Sequence, residues 1–206
     1  MNQKFTLSIN TLSSNSLEEL KRTYESINSQ NNLYFSFMEW CIIDNNSRDG
    51  TKEFLKSIKN KYLNINFVSE LDKGIYDAMH KGSISCKGKY IIYLNSGDTF
   101  FNRLTLEFII NFINSLNKEK ILLFGSNRIY PHKKKFINFK KYPKPIFYIN
   151  WGMPTNHQSI IYPKSIFKEI NFDSNFRIAG DYDHLCKCYI SKYPMQKINT
   201  IISNFY

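Results

Sequence analysis

The first 125 residues alternate between short, continuously apolar runs and amphipathic segments, and this alternation restricts the possible folds more than any other feature. Apolar runs of strand length lie at 5–10, 38–43, 65–68, 90–94 and 121–124. Helical spacing of apolar residues predicts helices at 17–27, 51–59, 75–84 and 104–116. Because the connections are short and the strands are apolar throughout, we predict an α/β protein with a mostly parallel, Rossmann-like sheet flanked by helices.

The start of the first predicted helix carries a local capping pattern. Ser16 and Glu19 have the S-x-x-E spacing of a capping box. In such a box the two side chains satisfy backbone N–H groups of the first helical turn. We therefore expect this helix to be capped by its own residues.

The alternation is lost after Gly125, and the second half is predicted to elaborate the sheet. The elements predicted there are a strand at 159–162, a short helix from Ser165, a helix from Gly180 and a strand at 201–206. Neither an internal repeat nor a linker interrupts the chain, so a single domain is predicted for 1–206. The second half is expected to close over one edge of the sheet.

Composition excludes several classes of protein. The chain has 206 residues, of which 42% are apolar and 16% aromatic, so it is not a disordered chain. Its four cysteines form no C-x-x-C pair, and we interpret them as reduced core residues of a cytosolic protein. No signal-peptide run is present at the start, and the longest apolar segment, 108–113, is too short to span a bilayer. Any membrane contact is therefore expected to be peripheral.

The net charge of +11 leaves several partners open. A solvated basic face, a nucleic acid, a nucleotide diphosphate and the anionic inner leaflet of a bacterial membrane all fit a basic protein. Lysines alternate with aromatic residues in the segment 133–144. This segment is either a solvated loop or a surface that docks on a membrane presenting a lipid-linked acceptor.

Polar residues follow the predicted parallel strands at four places, 10–11, 44–49, 70–73 and 95–98. The carboxyl ends of parallel strands meet at one edge of a sheet, and ligands bind there, near the point where the strand order reverses. Four separate segments are thus predicted to converge on one crevice. This convergence is the main functional signal that the residue patterns provide by themselves.

Five sequence blocks occur in a fixed order along the chain. They read WCIIDNNSRDGT at 40–51, SELDKGIYDAMHKG at 69–82, YIIYLNSGD at 90–98, HQS at 157–159 and GDYD at 180–183. Together, across about residues 4–190, they resemble glycosyltransferase family 2 of the bacterial surface-polysaccharide type. The resemblance implies one GT-A domain, with a nucleotide-sugar-binding half at 1–125 and an acceptor-side elaboration at 126–206. It also implies transfer from a nucleotide sugar with inversion at the anomeric carbon.

By this resemblance, the donor contacts come from loops that follow neighbouring strands. Asp44 and Asp72 are expected beside the nucleoside, with Ser47 shaping the pocket, although each Asp could instead hydrogen-bond its own loop. For Asp77 the open alternative is an ion pair with Lys73. The predicted nucleotide-sugar set is Thr11, Asp44, Ser47, Asp72, Lys73, Asp77, Ser96 and Gly97.

The metal motif of the family is D-x-D, and here it reads Ser96-Gly97-Asp98, so the first carboxylate is absent. By resemblance, Asp98 is expected to hold a divalent metal, Mn²⁺ or Mg²⁺, that bridges the two phosphates. Such hard cations prefer oxygen ligands and screen the charge of a leaving diphosphate. The alternative is an Asp that ends a strand in a turn.

The acidic pair that the family places before its last helix, Glu-Asp, reads Gly180-Asp181 here. The resemblance assigns Asp181 as the base that deprotonates the acceptor hydroxyl, with a role as helix N-cap as the alternative or additional role. Asp183 is expected to point elsewhere on the helix, as a structural or acceptor contact. His157 is expected on the acceptor or diphosphate side, against the alternative of a packed structural histidine.

The resulting hypothesis is an inverting glycosyltransferase that moves a sugar from a nucleotide diphosphate donor, expected to be a UDP-sugar, to a polyprenyl-diphosphate-linked glycan. The protein would be cytoplasmic and peripheral on the inner face of the cytoplasmic membrane. Two other classes stay open. A sugar-nucleotide nucleotidyltransferase shares the sheet, but residues 10–14 lack its Gly-rich, Arg-containing phosphate loop. A nucleic-acid-binding module would use the basic charge but not Asp44, Asp98 and Asp181 together, so no nucleic acid is expected.

Overall fold

The computed structural model describes residues 5–59, 64–117, 120–130 and 138–206. The strands among them are β1 (Leu7–Ser13), β2 (Met38–Asp44), β3 (Ile65–Ser69), β4 (Tyr90–Tyr93), β5 (Thr99–Phe100), β6 (Leu122–Ile129), β7 (Phe139–Lys141), β8 (Ile160–Pro163) and β9 (Met195–Phe205). The α-helices are α1 (Leu17–Asn28), α2 (Thr51–Lys59), α3 (Ile75–Ser85), α4 (Thr105–Ser115) and α5 (Gly180–Ile190). Short 3₁₀ helices lie at Asn32–Phe37, Ile146–Asn150, His157–Ser159 and Lys164–Lys168.

The strands form one sheet in the order β3-β2-β1-β4-β8-β6-β9-β5, and β7 pairs with β6. The neighbours β3, β2, β1 and β4 are parallel, as are β6 and β9, whereas β8 runs antiparallel between β4 and β6. The predicted α/β fold with a mostly parallel sheet is therefore confirmed. The chain passes from β1 outward to β3 and then returns to the other side of β1 with β4. The strand order thus reverses beside β1, where a ligand crevice is expected.

Helices cover both faces of the sheet, and each face has its own apolar core. On one face, α1, α2 and α4 contribute Leu20, Leu55 and Ile109. On the other face, α3 and α5 contribute Met79 and Leu185. Every residue of β2 is buried because helices lie above and below it. This two-sided burial explains why the strand is mostly apolar instead of alternating with polar residues.

The structure corrects several element boundaries. β1 continues to Ser13, so Thr11 lies within a strand instead of in the loop after it. β6 extends to Ile129, and β9 begins at Met195. β5 and β7 carry no sequence signal because they have two and three residues, too few to show a period of two. Since β7 covers Phe139–Lys141, that part of the basic segment is a short, solvent-exposed strand instead of a loop, while residues 131–137 lie outside the described ranges.

The predicted capping box at the start of α1 is wrong. Ser16 is the N-cap residue, but its side chain makes no capping hydrogen bond. The Leu17 N–H instead donates to Asp49 Oδ2 at 2.9 Å, and Asp49 belongs to the loop after β2. The Glu19 carbonyl accepts from Gly97 N–H at 3.0 Å. The first turn of α1 is thus tied to the loops that follow β2 and β4, at the edge of the predicted crevice.

Within the described ranges, no helix has the length and apolar character needed to cross a membrane.

Candidate active site

A tight loop after β4 positions Asp98 at the point where the strand order reverses. Gly97 has a φ of +94°, in the left-handed region that side chains rarely adopt, so this turn requires glycine. Its N–H donates to Thr23 Oγ1 of α1 at 2.9 Å, and that hydroxyl donates to the Asp98 carbonyl at 2.9 Å. Asp98 is therefore placed by backbone contacts with α1.

The Asp98 carboxylate is buried with few compensating partners. Its side chain belongs to a residue that is only 4% exposed. Gln158 Nε2 donates to Asp98 Oδ2 at 3.1 Å, and the Tyr206 N–H lies 3.5 Å from Oδ1. Burial raises the pKa of Asp98 to about 6, and the hydrogen bond from Gln158 and the charges of His157 and Arg22 offset only part of that effect. An uncompensated buried carboxylate of this kind is a favourable ligand for a cation.

Asp181 lies in the first turn of α5, and two side chains contact its carboxylate. The Tyr76 hydroxyl donates to Oδ1 at 3.2 Å, and His157 Nδ1 lies 3.4 Å from Oδ2. Desolvation raises the pKa of Asp181, but the hydrogen bond and charge of His157 outweigh it and leave the pKa below its ordinary value. Asp181 is therefore ionised at neutral pH and able to accept a proton. The N-cap of α5 is Ala179, so the N-cap interpretation of Asp181 is wrong.

Gly180 allows this arrangement. A Cβ atom at this position would lie 2.8 to 2.9 Å from three ring carbons of Tyr76, closer than side chains can approach. Only glycine lets the Tyr76 ring pass near enough for its hydroxyl to reach Asp181. The Gly that replaces the first acidic residue of the motif thus makes room for a hydrogen bond to the second.

Adjacent residues connect the two carboxylates. His157 and Gln158 begin a short 3₁₀ helix, and Gln158 contacts Asp98 while His157 contacts Asp181. The second ring nitrogen of His157, Nε2, lies 3.2 Å from Asn95 Nδ2. With Nε2 against Asn95 and Nδ1 against Asp181, the ring is held between the loop after β4 and the first turn of α5. The loop after β4 thereby orients the histidine as well as Asp98.

Asp44 is fully buried at the end of β2, and its carboxylate contacts its own loop and the next strand. It accepts from the Ser47 hydroxyl, from the Ser47 N–H at 3.1 Å and from Ser69 Oγ at 2.6 Å. Ser47 Oγ also accepts from the Asn15 N–H at 2.8 Å. These contacts are the ones that the loop-forming alternative predicts. They fix the wall of the crevice, and a nucleoside contact by Asp44 or Ser47 stays a prediction.

Sequence reasoning missed Lys81, which lies on α3 and contacts three carboxylates. Its ammonium is 2.9 Å from Glu70, 2.8 Å from Asp72 and 3.2 Å from Asp77. Desolvation lowers the pKa of Lys81, but these hydrogen bonds raise it above its ordinary value. Asp77 also accepts from the backbone N–H of Lys73 at 3.0 Å. The ion-pair alternative for Asp77 thus has Lys81 as its partner, and the i,i+4 spacing of Asp77 and Lys81 was the available signal.

Two predicted site residues lie apart from the two-carboxylate centre. The Thr11 hydroxyl is buried in β1, donates to the Leu94 carbonyl at 2.7 Å and accepts from Trp40 Nε1 at 2.8 Å. The expected position of Thr11 in a loop lining the crevice is therefore wrong. Asp183 is half-buried and pairs with the exposed Lys187 at 2.7 Å, one turn further along α5. Tyr76 had no sequence signal, because its partner Asp181 lies more than a hundred residues away.

The buried carboxylate of Asp98 offers the oxygen ligands that a hard divalent cation prefers. Ser96, in place of the first motif carboxylate, donates its hydroxyl to the Leu12 carbonyl at 2.9 Å. Of all His, Cys, Asp and Glu side chains in the described ranges, one group of three has its ligand atoms within 4.8 Å of one another, namely Glu39, Cys41 and Cys86. Glu39 and Cys41 lie in β2 and Cys86 directly follows α3, and Glu39 accepts hydrogen bonds from the Ser8 hydroxyl of β1 and from the Gly88 N–H before β4. The group lies away from the strand ends that form the crevice.

A family model described as glycosyl transferase family 2 matches residues 8–171. The chain belongs to glycosyltransferase family 2. An uncharacterized glycosyltransferase of Mycobacterium tuberculosis is 34% identical to this family 2 chain over 95 residues, which are 46% of this chain and 35% of the relative. A PGL/p-HBAD biosynthesis glycosyltransferase of Mycobacterium bovis is 23% identical over 121 residues, 58% of this chain and 45% of the relative. The chain thus matches less than half the length of either relative.

Solved structures share the fold of this family 2 chain. S. aureus TarS 1–349 in complex with UDP-GlcNAc matches with a TM-score of 0.78 and 16% identity, over 97% of this chain and 58% of the TarS chain. The mannosyltransferase PcManGT from Pyrobaculum calidifontis, in complex with GDP-Man and Mn²⁺, matches with a TM-score of 0.68 and 13% identity, over 95% of this chain and 55% of its own. The expected GT-A fold is confirmed.

Proposed function

We propose that this family 2 chain transfers one sugar, with inversion, from a UDP-sugar to a lipid-linked glycan of a bacterial surface polysaccharide. The observation that carries the proposal is a pair of contacts made by two adjacent residues. Gln158 contacts Asp98, and His157 contacts Asp181. In the proposal, Asp98 faces the leaving diphosphate and Asp181 faces the acceptor hydroxyl. The short 3₁₀ helix His157–Ser159 then fixes the carboxylate on the leaving-group side relative to the carboxylate on the acceptor side.

The donor side of the proposal rests on the polar loops at the ends of β1 to β4. Asp44 and Asp72 bind the nucleoside in this proposal, and Ser47 shapes the pocket. The salt-bridged Lys81 holds Asp72 in place, and the exposed Lys73 lies on the same loop, where it can approach the phosphates. TarS was solved with UDP and with UDP-GlcNAc, and PcManGT with GDP-Man. A nucleotide-sugar donor is consistent with these relatives, and UDP is the nucleotide we favour.

The chemistry at Asp181 follows from its ionised state and its two partners. Asp181 accepts the proton of the acceptor hydroxyl while that oxygen bonds to the anomeric carbon and the bond from this carbon to the diphosphate oxygen breaks. Tyr76 and His157 each hold one carboxylate oxygen, so the orientation of the base is fixed before the acceptor arrives. Attack from the face opposite the leaving group makes a β product from an α donor.

A divalent cation, when bound, would neutralise the charge that develops on the leaving diphosphate. Asp98 would hold it, because its buried carboxylate offers oxygen ligands and has few other partners. The ammonium of Lys73 would neutralise part of the remaining negative charge on the diphosphate.

The acceptor side presents an exposed aromatic surface, which we define as Phe147 and Trp151 with the neighbouring Lys144. The two rings belong to residues that are 58% and 70% exposed. Tyr182 of α5 donates to the backbone of this segment at 2.6 Å, so the surface is attached to the helix that carries Asp181. Exposed aromatic rings beside lysine favour the interface of an anionic membrane. We propose that this surface docks peripherally on the inner leaflet and brings a polyprenyl-diphosphate-linked acceptor to the base.

The test compares wild type, Asp98→Ala, Asp181→Asn and chelator-treated wild type, each scored for UDP-sugar binding and for transfer. Asp181→Asn keeps the shape of the side chain, so donor binding is expected to survive while transfer falls roughly 10²- to 10⁴-fold, the usual contribution of a positioned base. Asp98→Ala is expected to weaken both, and chelation should add little to it. Full transfer by Asp181→Asn would remove Asp181 from its role, and an absence of any nucleotide-sugar binding would refute the proposal as a whole.

A further inference from the structure

The amide oxygen of Gln158 has no hydrogen-bond partner among the residues that the structure describes. The residue is only 3% exposed, so bulk water does not satisfy this oxygen. Buried polar atoms without a partner are rare in folded proteins because their desolvation is not compensated. Gln158 Oε1 is one of several such atoms among the described residues, and its side chain also contacts the Asp98 carboxylate.

The orientation of this amide is set by its neighbour. Gln158 Nε2 donates to Asp98 Oδ2 at 3.1 Å, and a carboxylate oxygen accepts from an amide nitrogen but repels an amide oxygen. The nitrogen must therefore face Asp98, and Oε1 of the same amide is left unpaired. The position is rigid as well, because the next residue, Ser159, donates to the Ser126 carbonyl at 2.9 Å and lies 2.9 Å from Ser203 Oγ.

The chemistry at this point matches a hard divalent cation. Magnesium and manganese bind carboxylate and amide oxygens, and one carboxylate with phosphate oxygens and waters is a sparse ligand set. The motif position that would supply a second carboxylate is Ser96, and its hydroxyl is engaged with the Leu12 carbonyl. The oxygen of the amide that contacts Asp98 through its nitrogen is an alternative second ligand without a second negative charge.

We propose that Gln158 Oε1 is the second protein ligand of the divalent cation, beside Asp98, and replaces the carboxylate that is absent at Ser96. This inference rests on the proposed function, because the cation is the one that binds with the nucleotide diphosphate. A neutral ligand attracts a free cation less than a carboxylate does. The cation is therefore expected to bind weakly to the protein alone and much more tightly together with UDP.

The experiment measures Mn²⁺ binding by the loss of the free-ion EPR signal, at saturating UDP, in variants of equal thermal stability. Gln158→Glu restores a carboxylate and is expected to bind Mn²⁺ about tenfold more tightly, whereas the similarly shaped Gln158→Met is expected to bind about tenfold more weakly. Gln196→Glu makes the same charge change on an exposed residue of β9 and is expected to leave Mn²⁺ affinity unchanged.

UDP affinity without metal is measured in parallel by calorimetry, so that two failures can be separated. If UDP binds and Mn²⁺ affinity is equal in wild type, Gln158→Glu and Gln158→Met, the Gln158 ligand is refuted while the proposed function stands. If UDP does not bind to the wild type at all, the proposed function fails and this inference fails with it. Because Gln158→Glu is expected to strengthen binding, loss of folded protein in the Met variant does not remove the test.

Discussion

Replacing Gly180 by alanine tests the contact on which the base depends. Alanine is the better helix former, so helix propensity alone predicts stabilisation of up to about 1 kcal/mol. The structure predicts the opposite, because the new Cβ would lie 2.8 Å from a Tyr76 ring carbon. An ordinary contact starts at 3.4 Å, so the ring must move by at least 0.6 Å. Overpacking of this size costs about 1 to 3 kcal/mol, and we expect a net loss of about 1 to 2 kcal/mol.

For a chain of 206 residues this loss corresponds to a melting temperature lower by roughly 2 to 8 °C. The 3.2 Å hydrogen bond from Tyr76 to Asp181 would be lost or lengthened with the ring, so transfer is expected to fall more than donor binding. The assays are thermal unfolding and steady-state transfer.

A double-mutant cycle identifies the cause. In a Tyr76→Ala background the ring is gone, and Gly180→Ala should become neutral or stabilising by up to about 1 kcal/mol, which gives a coupling energy of about 1 to 3 kcal/mol between the two positions. Stabilisation by Gly180→Ala in the wild-type background would refute the close approach of Tyr76, and with it the explanation of why the motif has glycine here.

Three further predictions concern charge and surface. Burial raises the pKa of Asp98 to about 6 from 3.8, so the folded protein holds this proton more tightly than the unfolded chain, and the metal-free protein loses stability as pH rises from about 4 to 6. Asp98→Asn is therefore expected to stabilise the protein in EDTA by up to about 3 kcal/mol at pH 8 and hardly at all at pH 4, as measured by urea unfolding. Equal stabilisation at the two pH values would contradict the burial of this charge. Lys81→Gln should weaken UDP binding several-fold in calorimetry, because Asp72 loses its partner. The control is Lys87→Gln, which changes an exposed lysine after the same helix and should leave UDP affinity unchanged. Equal UDP affinities in the two variants would show that the Lys81 salt bridges do not support the donor site. Trp151→Ala should reduce binding to anionic liposomes in a sedimentation assay at low and high salt. The control is Leu33→Ala, which changes an apolar residue of similar exposure, 74%, and should bind normally. If the wild-type protein does not bind such vesicles, Trp151 has no membrane role.

The fold could be predicted largely because its signals are local. Continuous apolar runs such as β2 and the helical spacing of α2 are each contained in about ten residues, and burial on both faces of the sheet makes them strong. The errors arose where distant contacts decide the structure. The N-terminus of α1 looks self-capped, yet Asp49 caps it from another loop. β9 was only half predicted because its first residues are exposed and polar, while pairing with β6 holds them in the sheet.

For the active site too, residues in local motifs could be predicted, whereas contacts between distant residues could not. The positions of Asp98 and Asp181 follow from motifs at the ends of predicted elements. Their partners do not, because Tyr76 and Gln158 reach them across more than fifty residues, and no periodicity encodes such contacts. The predicted position of Thr11 is wrong for a simpler reason. The apolar run ends before Thr11, but β1 continues for three more residues, to Ser13.

The central claim is that this chain carries an inverting transferase centre for a nucleotide sugar, with Asp181 as the base. The most direct measurement follows the anomeric configuration of the first product by proton NMR. Wild type is supplied with α-linked UDP-, GDP- and dTDP-sugars and Mn²⁺, with water as the surrogate acceptor. We predict slow hydrolysis of at least one donor, the UDP-sugar first among them, with the β anomer released before mutarotation and with loss of hydrolysis in Asp181→Asn. Initial release of the α anomer, or equal hydrolysis by Asp181→Asn, would contradict the claim.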